Sequence, residues 1–575
     1  MAFQVSPGVE VKEIDATNVV PAVSTSIGGF SGAFNWGPVE QIVTVSSENE
    51  LANTFGAPDD STARHFLVAA SFLKYGNALK VVRVTGAAAR NATEQGTGLL
   101  IKNDEHYVNN YADGQQNLGN WAAKHPGVLG NSLKVSMISH STDDAVFNAW
   151  PYKASFDGAP ETSTAAAAVG VSNDELHVAV IDEKGAITGV VGTVLETFSF
   201  MSQASDAKKD DGTSNYYVDV INNGSEYIRW LKHDPDLDEA GFTLAAAKAA
   251  NTSSEGTDKF DTHTAPMDAS LSGGVDANAP AAVTHDKIGE GFVLLSDPET
   301  VDVNLLFAHC DVDGAKNIAD NLISIANARK DCMAFVSPTL EDSVNTSTAA
   351  ANVKGFADLL TSTSYASCDS TALYVYDKYN DVYRYINAAG HMAGLCANTD
   401  SVADAWFSPA GVNRGQLLGV TKLAFNPKKA ERDTLYKARV NPIVSMPGQG
   451  TMLFGDKTLL MRPSAFDRIN VRRLFISLEK AISTAAKAQL FEFNDEFTRA
   501  QFRNLVEPFL RDVKGRRGLT DFSVICDTTN NTGNVIDSNK FVADIFIKPA
   551  RSINFISLSF VATRSGVEFS EISGS

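Results

Sequence analysis

The feature that most constrains the fold is a strand–helix–strand succession near the middle of the chain. The segments VNLLFAHC (303–310) and CMAFVSP (332–338) are short, continuous apolar runs, which are typical of strands buried on both faces. Between them lies one helical stripe, made of Ile318, Leu322, Ile325 and Ala326. Two buried strands joined through a helix form a βαβ unit, so this part of the chain predicts an α/β domain with parallel strands.

The same α/β pattern is found near the start of the chain. Residues 61–73 predict a helix with an apolar face that includes Phe66, and residues 79–84 (LKVVRV) predict a buried strand. We therefore assign residues 23–88 and 286–425 to one α/β host domain.

The region between these two parts has a different composition. Residues 89–285 are rich in Ala, Ser, Thr, Asp, Asn and Gly, and they contain the strand candidates Ser132–Ser139, Glu175–Asp182 and Tyr216–Asn222. This composition and these strand candidates predict one or two mostly-β domains inserted into the host domain. Their many Asp and few basic residues favour an outer, exposed position.

The first 22 residues predict an extended arm. Residues 5–14 alternate between apolar and polar side chains, with Val9 and Val11 on the apolar face. An isolated strand cannot pair its backbone alone and needs the edge of a sheet to join. That edge belongs either to the arm's own domain or to another molecule.

The C-terminal part, residues 426–575, predicts an α+β domain with two helices. The first has a core-facing stripe of Leu474, Leu478, Ala481, Ile482 and Ala485. Its opposite face presents Arg473, Lys480 and Lys487 at intervals of seven residues, and we expect this face to meet solvent. The second helix places Phe502, Leu505, Val506 and Phe509 on one face, and Pro508 is expected to kink or end it. Two strands, 541–548 and 553–563, should follow on either side of a turn at Pro549.

Charge is distributed unevenly along the chain. Residues 426–575 contain 22 Lys and Arg against 16 Asp and Glu, whereas residues 1–425 contain 26 and 52. Binding to nucleic-acid phosphates requires a basic surface, so the acidic part argues against a nucleic-acid partner. Two interpretations stay open: an acidic solubilising shell beside an ordinary domain, or a basic inner surface that faces an acidic partner.

No arrangement of residues predicts catalysis, a cofactor or a metal ion. The segment GTMLFGDKT (450–458) departs from a phosphate-binding loop because Asp456 separates Gly455 from Lys457, and a hairpin with a GDK turn fits it better. The pairs His309–Cys310 and His391–Cys396 have neither an acidic partner nor an oxyanion loop in sequence, so structural roles are favoured.

The cysteines and the hydropathy pattern also argue for an ordinary intracellular fold. The five cysteines are scattered without a CxxC pair, which predicts buried free thiols and not disulfides or a zinc site. No apolar run is long enough to span a bilayer, and residues 1–15 lack the basic and apolar regions of a signal peptide. Direct membrane insertion is therefore not expected.

Several long segments, in order, resemble the tail sheath proteins of contractile-tailed bacteriophages. They are YNDVYRYINAAGHMAGLCANTD (379–400), WFSPAGVNRGQL (406–417), FDRINVRRLF (466–475), FEFNDEFTR (491–499), CDTTNN (526–531) and FIKPARSINFISLSFVAT (546–563). Proteins of that family stack as six-fold rings around the tail tube and contract to drive the tube through the host cell envelope. The resemblance implies the same for this chain, as a virion protein assembled in the bacterial cytoplasm without nucleotide hydrolysis.

The resemblance also implies partners and roles for particular residues. The partners would be other copies of the chain, the tail tube protein, and baseplate and tail terminator proteins. Strand exchange between copies would use Val9, Val11 and Ile14 of the N-terminal arm, and Val567, Phe569 and Ile572 of the C-terminal arm. Because the C-terminal domain is the inner one in this family, Arg473, Lys480 and Lys487 would face the tube.

Two alternative functions remain at this point. One is a sheath subunit of another contractile machine, either a secretion system or a bacteriocin. The other is an enzyme acting on the cell envelope, with its site somewhere in residues 89–285. The absence of an acid/base or metal-binding pattern in that region argues against the enzyme.

Overall fold

A computed structural model describes residues 23–554, except 115–116, 141–143, 236, 238–239, 252–259, 261–264 and 311–314. The described residues form two compact units. The main unit contains residues 23–405 and 409–472, and the C-terminal unit contains residues 406–408 and 473–554. The predicted arm, residues 1–22, and most of the predicted last strand lie outside the described residues.

The strands of the described chain fall mainly in the main unit. They are β1 (Gly28–Gly32), β2 (Ile42–Val45), β3 (Leu79–Arg83), β4 (Trp121–Ala123), β5 (Leu133–Ser139), β6 (Glu175–Asp182), β7 (Thr193–Ser202), β8 (Ile228–Trp230), β9 (Met267–Ser270), β10 (Leu305–Phe307), β11 (Met333–Val336), β12 (Ala366–Asp369), β13 (Leu373–Asp377), β14 (Val382–Ile386), β15 (Val420–Leu423), β16 (Val440–Asn441), β17 (Ile443–Met446), β18 (Gly450–Leu453), β19 (Leu519–Ile525) and β20 (Asp544–Pro549).

The helices alternate with these strands in the parallel part of the fold. They are α1 (Glu48–Phe55), α2 (Ala63–Leu73), α3 (Asp104–Asn110), α4 (Asp144–Ala149), α5 (Thr164–Val169), α6 (Tyr217–Gly224), α7 (Leu244–Asn251), α8 (His285–Val293), α9 (Ala315–Arg329), α10 (Leu340–Ser343), α11 (Ala349–Leu359), α12 (Ala389–Val402), α13 (Lys429–Lys437), α14 (Ile469–Ala486), α15 (Glu496–Gly515) and α16 (Gly533–Asp537).

A seven-stranded sheet organises the main unit. Its strand order is β16-β12-β11-β10-β1-β3-β2, and all neighbouring pairs are parallel except β2 with β3. The predicted βαβ unit is confirmed, because β10 and β11 pair in parallel and α9 connects them. Every residue of β10, β11 and β12 is buried, as expected for strands covered on both faces.

Helix α12 packs closely against α2. Its residues 389–397 are all buried, and small side chains allow the two helix backbones to approach each other. A Cβ atom placed on Gly390 would lie 2.2 Å from the carbonyl oxygen of Val68 in α2. The sequence AGHMAGLCA is therefore a helix–helix contact surface whose spacing depends on glycine.

The inserted region has sheets of its own. Four antiparallel strands in the order β7-β6-β5-β9 and a β4–β8 pair surround a core that includes Trp121, Val135 and Val178. Strands β5 and β6 confirm two of the predicted strands. The prediction of a strand at Tyr216–Asn222 is wrong, since α6 lies there. Tyr217, Val218 and Ile221 are its buried residues, and their spacing fits one helix face better than a strand.

The predicted boundary between residues 425 and 426 is also wrong. Strand β16, at Val440–Asn441, pairs with β12 in the main sheet, and the C-terminal unit starts at Arg473 apart from the short segment 406–408. The predicted hairpin is present as β17 and β18, but its turn lies at residues 447–449. The GDK segment follows β18, where Asp456 is buried and Lys457 lies over the ring of Tyr436.

The C-terminal unit packs α14 and α15 against a hairpin of β19 and β20. Its core contains Leu474, Leu478, Phe502 and Val506, which confirms the predicted apolar stripes of both helices. Helix α15 does not end at Pro508 but continues to Gly515. Pro508 lies on an exposed face, where water can satisfy the backbone carbonyl that loses its partner. The predicted α/β and α+β multidomain class is confirmed.

Candidate assembly interface

Among the described strands, the hairpin of the C-terminal unit has two unpaired edges. Strands β19 and β20 pair only with each other among the described strands, in an antiparallel register that sets Val524 opposite Ile545. Partly buried residues of both strands, including Phe522 and Ile547, pack on the core of the unit. One face of the hairpin is therefore covered, while both outer strands keep backbone N–H and C=O groups available for another strand.

The residues predicted to exchange between copies cannot be compared with this hairpin directly. Val9, Val11 and Ile14 in the N-terminal arm, and Val567, Phe569 and Ile572 in the C-terminal arm, lie outside the described residues. Their pairing stays a prediction, and the open hairpin is a described surface that such a strand would fit.

The predicted basic face of α14 needs a correction. Arg473 has only 4% of its surface exposed, whereas Lys480 is half-buried and Lys487 is exposed. The first ten residues of the helix are buried except for the half-buried Phe475, so this part of α14 has no solvent face. A seven-residue spacing identifies one side of a helix, but it does not show that both sides are covered. Only Lys480 and Lys487 remain candidates for contact with a partner.

A loop between α14 and α15 exposes a cluster of large apolar side chains. Leu490, Phe491, Phe493 and Phe497 have 63%, 105%, 83% and 75% of their surfaces exposed. Phe491 also has a backbone φ of 72°, a left-handed conformation that is rare for a bulky residue. Clusters of exposed aromatic residues mark protein-interaction sites. We call residues 490–497 the aromatic loop.

The base of the aromatic loop is held by polar contacts. The amide of Asn494 donates to Oδ1 of Asn531 (3.1 Å) and to the carbonyl oxygen of Lys540 (2.8 Å). The guanidinium of Arg499 donates to Oδ1 of Asn494 at 2.7 Å, and the Asp495 carboxylate caps α15 by accepting from the Thr498 amide. These bonds fix the backbone, so the phenylalanine side chains are held out from a rigid base.

A second exposed aromatic surface lies on the main unit. On the small β14-β13-β15 sheet, Tyr374 is opposite Tyr385 and Lys422, and Tyr376 is opposite Tyr383. The ring centroids of Tyr374 and Tyr385 are 4.6 Å apart, and the Lys422 ammonium lies 4.4 Å from the centroid of Tyr374. Sequence reasoning missed this surface, although alternate tyrosines at these positions of two strands are a readable signal.

The histidine and cysteine candidates lie in the core. The ring of His309 contacts the ring of His65 at 4.9 Å, and His391 bonds to the hydroxyl of Tyr75 at 3.0 Å. Burial lowers the pKa of His391 to about 3, so its imidazole is neutral at physiological pH. All five cysteines are free and buried, which confirms the prediction of buried thiols.

The described part of the chain contains neither a metal-binding cluster nor a membrane-spanning helix. No group of three His, Cys, Asp or Glu side chains there is arranged to hold a metal ion. Among the same residues, no helix is long and apolar enough to cross a bilayer.

Three known sequence families match the chain. "Phage tail sheath C-terminal domain" matches residues 462–563, and "Phage tail sheath protein central domain" matches residues 281–459. "Tail sheath protein Gp18 domain III N-terminal region" matches residues 25–84. These ranges lie on either side of the inserted region, and they contain the open hairpin and the aromatic loop.

Full-length relatives and a solved structure agree with these families. The chain is 35% identical to the tail sheath protein of Vibrio phage KVP40 and 33% identical to that of Enterobacteria phage T4, with 99% of each chain covered in both cases. Its fold is similar to the anti-feeding prophage (AFP) helical sheath in the contracted state, with a TM-score of 0.50 at 13% identity, over 98% of this chain and 100% of that one. The resemblance found in the sequence is confirmed: the chain belongs to the family of contractile phage tail sheath proteins.

Proposed function

We propose that this protein polymerises as stacked six-fold rings around a tail tube and contracts to drive the tube through the host cell envelope. The observation that carries the proposal is the β19–β20 hairpin, which has two unpaired edges among the described strands. Each edge would accept a strand from a neighbouring copy. The N-terminal arm would supply Val9, Val11 and Ile14, and the C-terminal arm would supply Val567, Phe569 and Ile572.

Strand addition suits a polymer that has to rearrange without coming apart. Each backbone hydrogen bond between an arm and the hairpin contributes about 0.5–1.5 kcal/mol, so one arm binds modestly while many arms together hold the polymer. The covalent chain keeps neighbours tethered while the folded bodies move. Contraction would then be a rigid-body change between two packings, with the arms as hinges and no chemical step.

The arm can be tested by deleting residues 1–14. The truncated protein should remain a folded monomer and fail to form the hollow tubes that electron microscopy should show for the intact chain at raised concentration. A sharper test compares two double variants. The first is Val9→Lys/Val11→Lys, on the apolar face of the predicted strand, and the second is Glu10→Lys/Lys12→Glu, on its polar face. Only the first double variant should block assembly. Regular tubes from the truncated protein would refute an essential arm.

We propose that Lys480 and Lys487 of α14 contact acidic groups of the tube. Both side chains reach solvent, unlike Arg473, which burial removes from this role. Contacts that break during contraction should be weak and sensitive to salt, as exposed ion pairs are. Lys480→Glu/Lys487→Glu should abolish decoration of purified tubes and spare polymers formed without a tube. Lys540→Glu, a charge reversal elsewhere on the unit, serves as control, and unchanged decoration by the double variant would contradict the assignment.

The inserted region, residues 89–285, is proposed to face away from the tube. It lies between the ranges that match known sheath families, and its described strands form sheets of their own and add none to the main sheet. A position outside the polymer would leave it free to vary. Limited proteolysis of assembled tubes should cut this region while leaving the C-terminal unit intact.

The remaining partners and the setting follow from the same proposal. Assembly would take place in the host bacterial cytoplasm, with a baseplate at one end of the polymer and a terminator protein at the other. The protein would act without enzymatic turnover or nucleotide hydrolysis. The similarity to the AFP sheath keeps another contractile injection machine as the second candidate. Particles in which the sheath is attached to a DNA-filled head would favour the phage tail, and headless particles would favour the injection machine.

A further inference from the structure

The two ends of α15 carry opposite surfaces. At its N-terminal end, the aromatic loop combines three exposed phenylalanines with the carboxylates of Glu492, Asp495 and Glu496, and it contains no basic residue. Helix α15 has 20 residues, so its other end lies about 30 Å away at 1.5 Å per residue.

The far end of α15 is basic. Residues 511–517 (RDVKGRR) contain Arg511, Lys514, Arg516 and Arg517, with Asp512 as the single acidic residue. Lys514 pairs with Asp521, and Arg516 pairs with Asp512. Arg511 and Arg517 are exposed and form no ion pair with the residues that the structure describes. We call residues 511–517 the basic end.

We propose that the aromatic loop of one copy docks on the basic end of a second copy. The two surfaces are complementary in charge and in chemistry, because a guanidinium stacks on aromatic rings and pairs with carboxylates at the same time. The occupant is therefore a second copy of this chain. This inference rests on the proposed polymer and adds to it a direct contact between folded bodies, separate from the arms.

The contact is head-to-tail. Surfaces at opposite ends of one helix cannot satisfy each other within a molecule, so each copy leaves one loop and one basic end for further copies. Heterologous contacts of this kind produce closed rings or helical polymers and not closed dimers. The rigid base of the loop, formed by Asn494 and its partners, lowers the entropy cost of docking.

Two reciprocal variants of the full chain test the contact. The loop variant is Glu492→Lys/Glu496→Lys, and the basic-end variant is Arg511→Glu/Arg517→Glu. Each variant alone places like charges at every contact, which should raise the concentration needed for polymerisation about tenfold or more. In a one-to-one mixture, every contact between one variant and the other pairs opposite charges. A polymer in which the two variants alternate should therefore form close to the wild-type concentration.

Controls separate this contact from folding and from the arms. Circular dichroism and thermal melting check that both variants fold, and Asp537→Lys reverses a carboxylate elsewhere on the C-terminal unit without blocking assembly. Phe491→Ala/Phe493→Ala should weaken polymerisation without changing any charge. Sedimentation and electron microscopy give the polymer yield at several salt concentrations.

Three outcomes would overturn the inference. The first is polymerisation of each variant alone at the wild-type concentration. The second is failure of the two folded variants to rescue each other in mixture. The third is normal polymerisation with loss of tube binding alone, which would assign the loop to the tube. If the wild-type chain itself forms no polymer with or without tubes, the proposed function fails, and that result is distinct from the other three.

Discussion

The main unit and the C-terminal unit differ in how far their strands are paired and buried. The main sheet has seven strands, and its inner strands are buried on both faces. The C-terminal sheet has two described strands with open outer edges, beside a loop whose phenylalanines are fully exposed. The main unit has an interior sheet covered on both faces, whereas the described C-terminal unit has a two-stranded sheet beside an exposed aromatic loop. Stability should therefore depend on the main unit's interior, and assembly should depend on the C-terminal unit's exterior.

We expect the largest effect on the free energy of unfolding at Asp369, in the interior of the main unit. This carboxyl group is fully buried at the end of β12 and accepts hydrogen bonds from the Ser337 hydroxyl and the Thr371 amide. Burial raises its pKa to about 7, from 3.8. Between pH 4 and 7 the folded protein keeps a proton that the unfolded chain has lost, so raising the pH across this range should cost about 4 kcal/mol of unfolding free energy.

Asp369→Asn cannot ionise and should remove this pH dependence. Urea denaturation at pH 5 and pH 8 measures it, and the variant should be more stable than the wild type at pH 8. Asp433→Asn, at an exposed position of α13, should keep the wild-type profile. Equal pH slopes for wild type and Asp369→Asn would show that this carboxyl group does not control stability.

The next effect concerns the close approach of α12 and α2. Gly390→Ala places a Cβ atom against the Val68 carbonyl oxygen and should destabilise the main unit by about 3 kcal/mol, because the helices must move apart. Gly355 in α11 has no atom within 4 Å of a built Cβ, so Gly355→Ala should stabilise by about 0.5–1 kcal/mol. Calorimetric unfolding compares the two, and similar effects from both would contradict the packing argument.

A smaller loss is expected in the C-terminal unit from Asn531→Ala. The Asn531 side chain bonds to both backbone groups of Val542 and accepts from Asn494 below the aromatic loop. Leaving these buried groups unpaired should cost about 2 kcal/mol. Hydrogen exchange of residues 490–497 should also become faster. Asn534→Ala at an exposed position is the control, and unchanged exchange in Asn531→Ala would show that the loop is held by other contacts.

The smallest effect on stability is expected at the aromatic loop, where we expect a large effect on assembly. Phe491→Ser/Phe493→Ser should change the free energy of unfolding by no more than about 0.5 kcal/mol, because both side chains are exposed. The same change should reduce binding of a hydrophobic dye. Phe502→Ala, in the core of the same unit, should cost about 3–5 kcal/mol. Comparable losses from the two variants would mean that the loop is part of the core.

Sequence reasoning predicted the elements with strong local patterns. These are the buried strands β10 and β11, the helix between them, and the apolar stripes of α14 and α15. Burial gives such elements either a continuous apolar run or apolar residues at helical spacing, and both patterns are visible in the sequence. The segment 216–222 was predicted wrongly because its short apolar run does not reveal which of its residues are buried, and the helical spacing is clear only once Tyr217, Val218 and Ile221 are known to be buried. The boundary at 425 was also wrong, since β16 has two residues, too few to give a pattern.

The candidate surfaces were harder to predict from the sequence. The position of Arg473 depends on which chain segments cover the start of α14, and that is a tertiary property. The aromatic loop lies in the segment FEFNDEFTR, which was recognised only as part of a family resemblance. In sequence its phenylalanines are indistinguishable from core residues, because exposure is set by the Asn494 network and by the backbone at Phe491.

The five buried cysteines have a consequence for the life of the particle. Under the proposed function, the thiols would be made in a reducing cytoplasm and would meet oxygen once the virion leaves the cell. An accessible thiol would then form disulfides or sulfenic acids. All five sulfur atoms belong to side chains that lie in the interior, so an oxidant or a neighbour's thiol reaches them only through unfolding. If the proposed function holds, this burial would protect a sheath that waits outside the cell from being locked by chemical cross-links before it contracts.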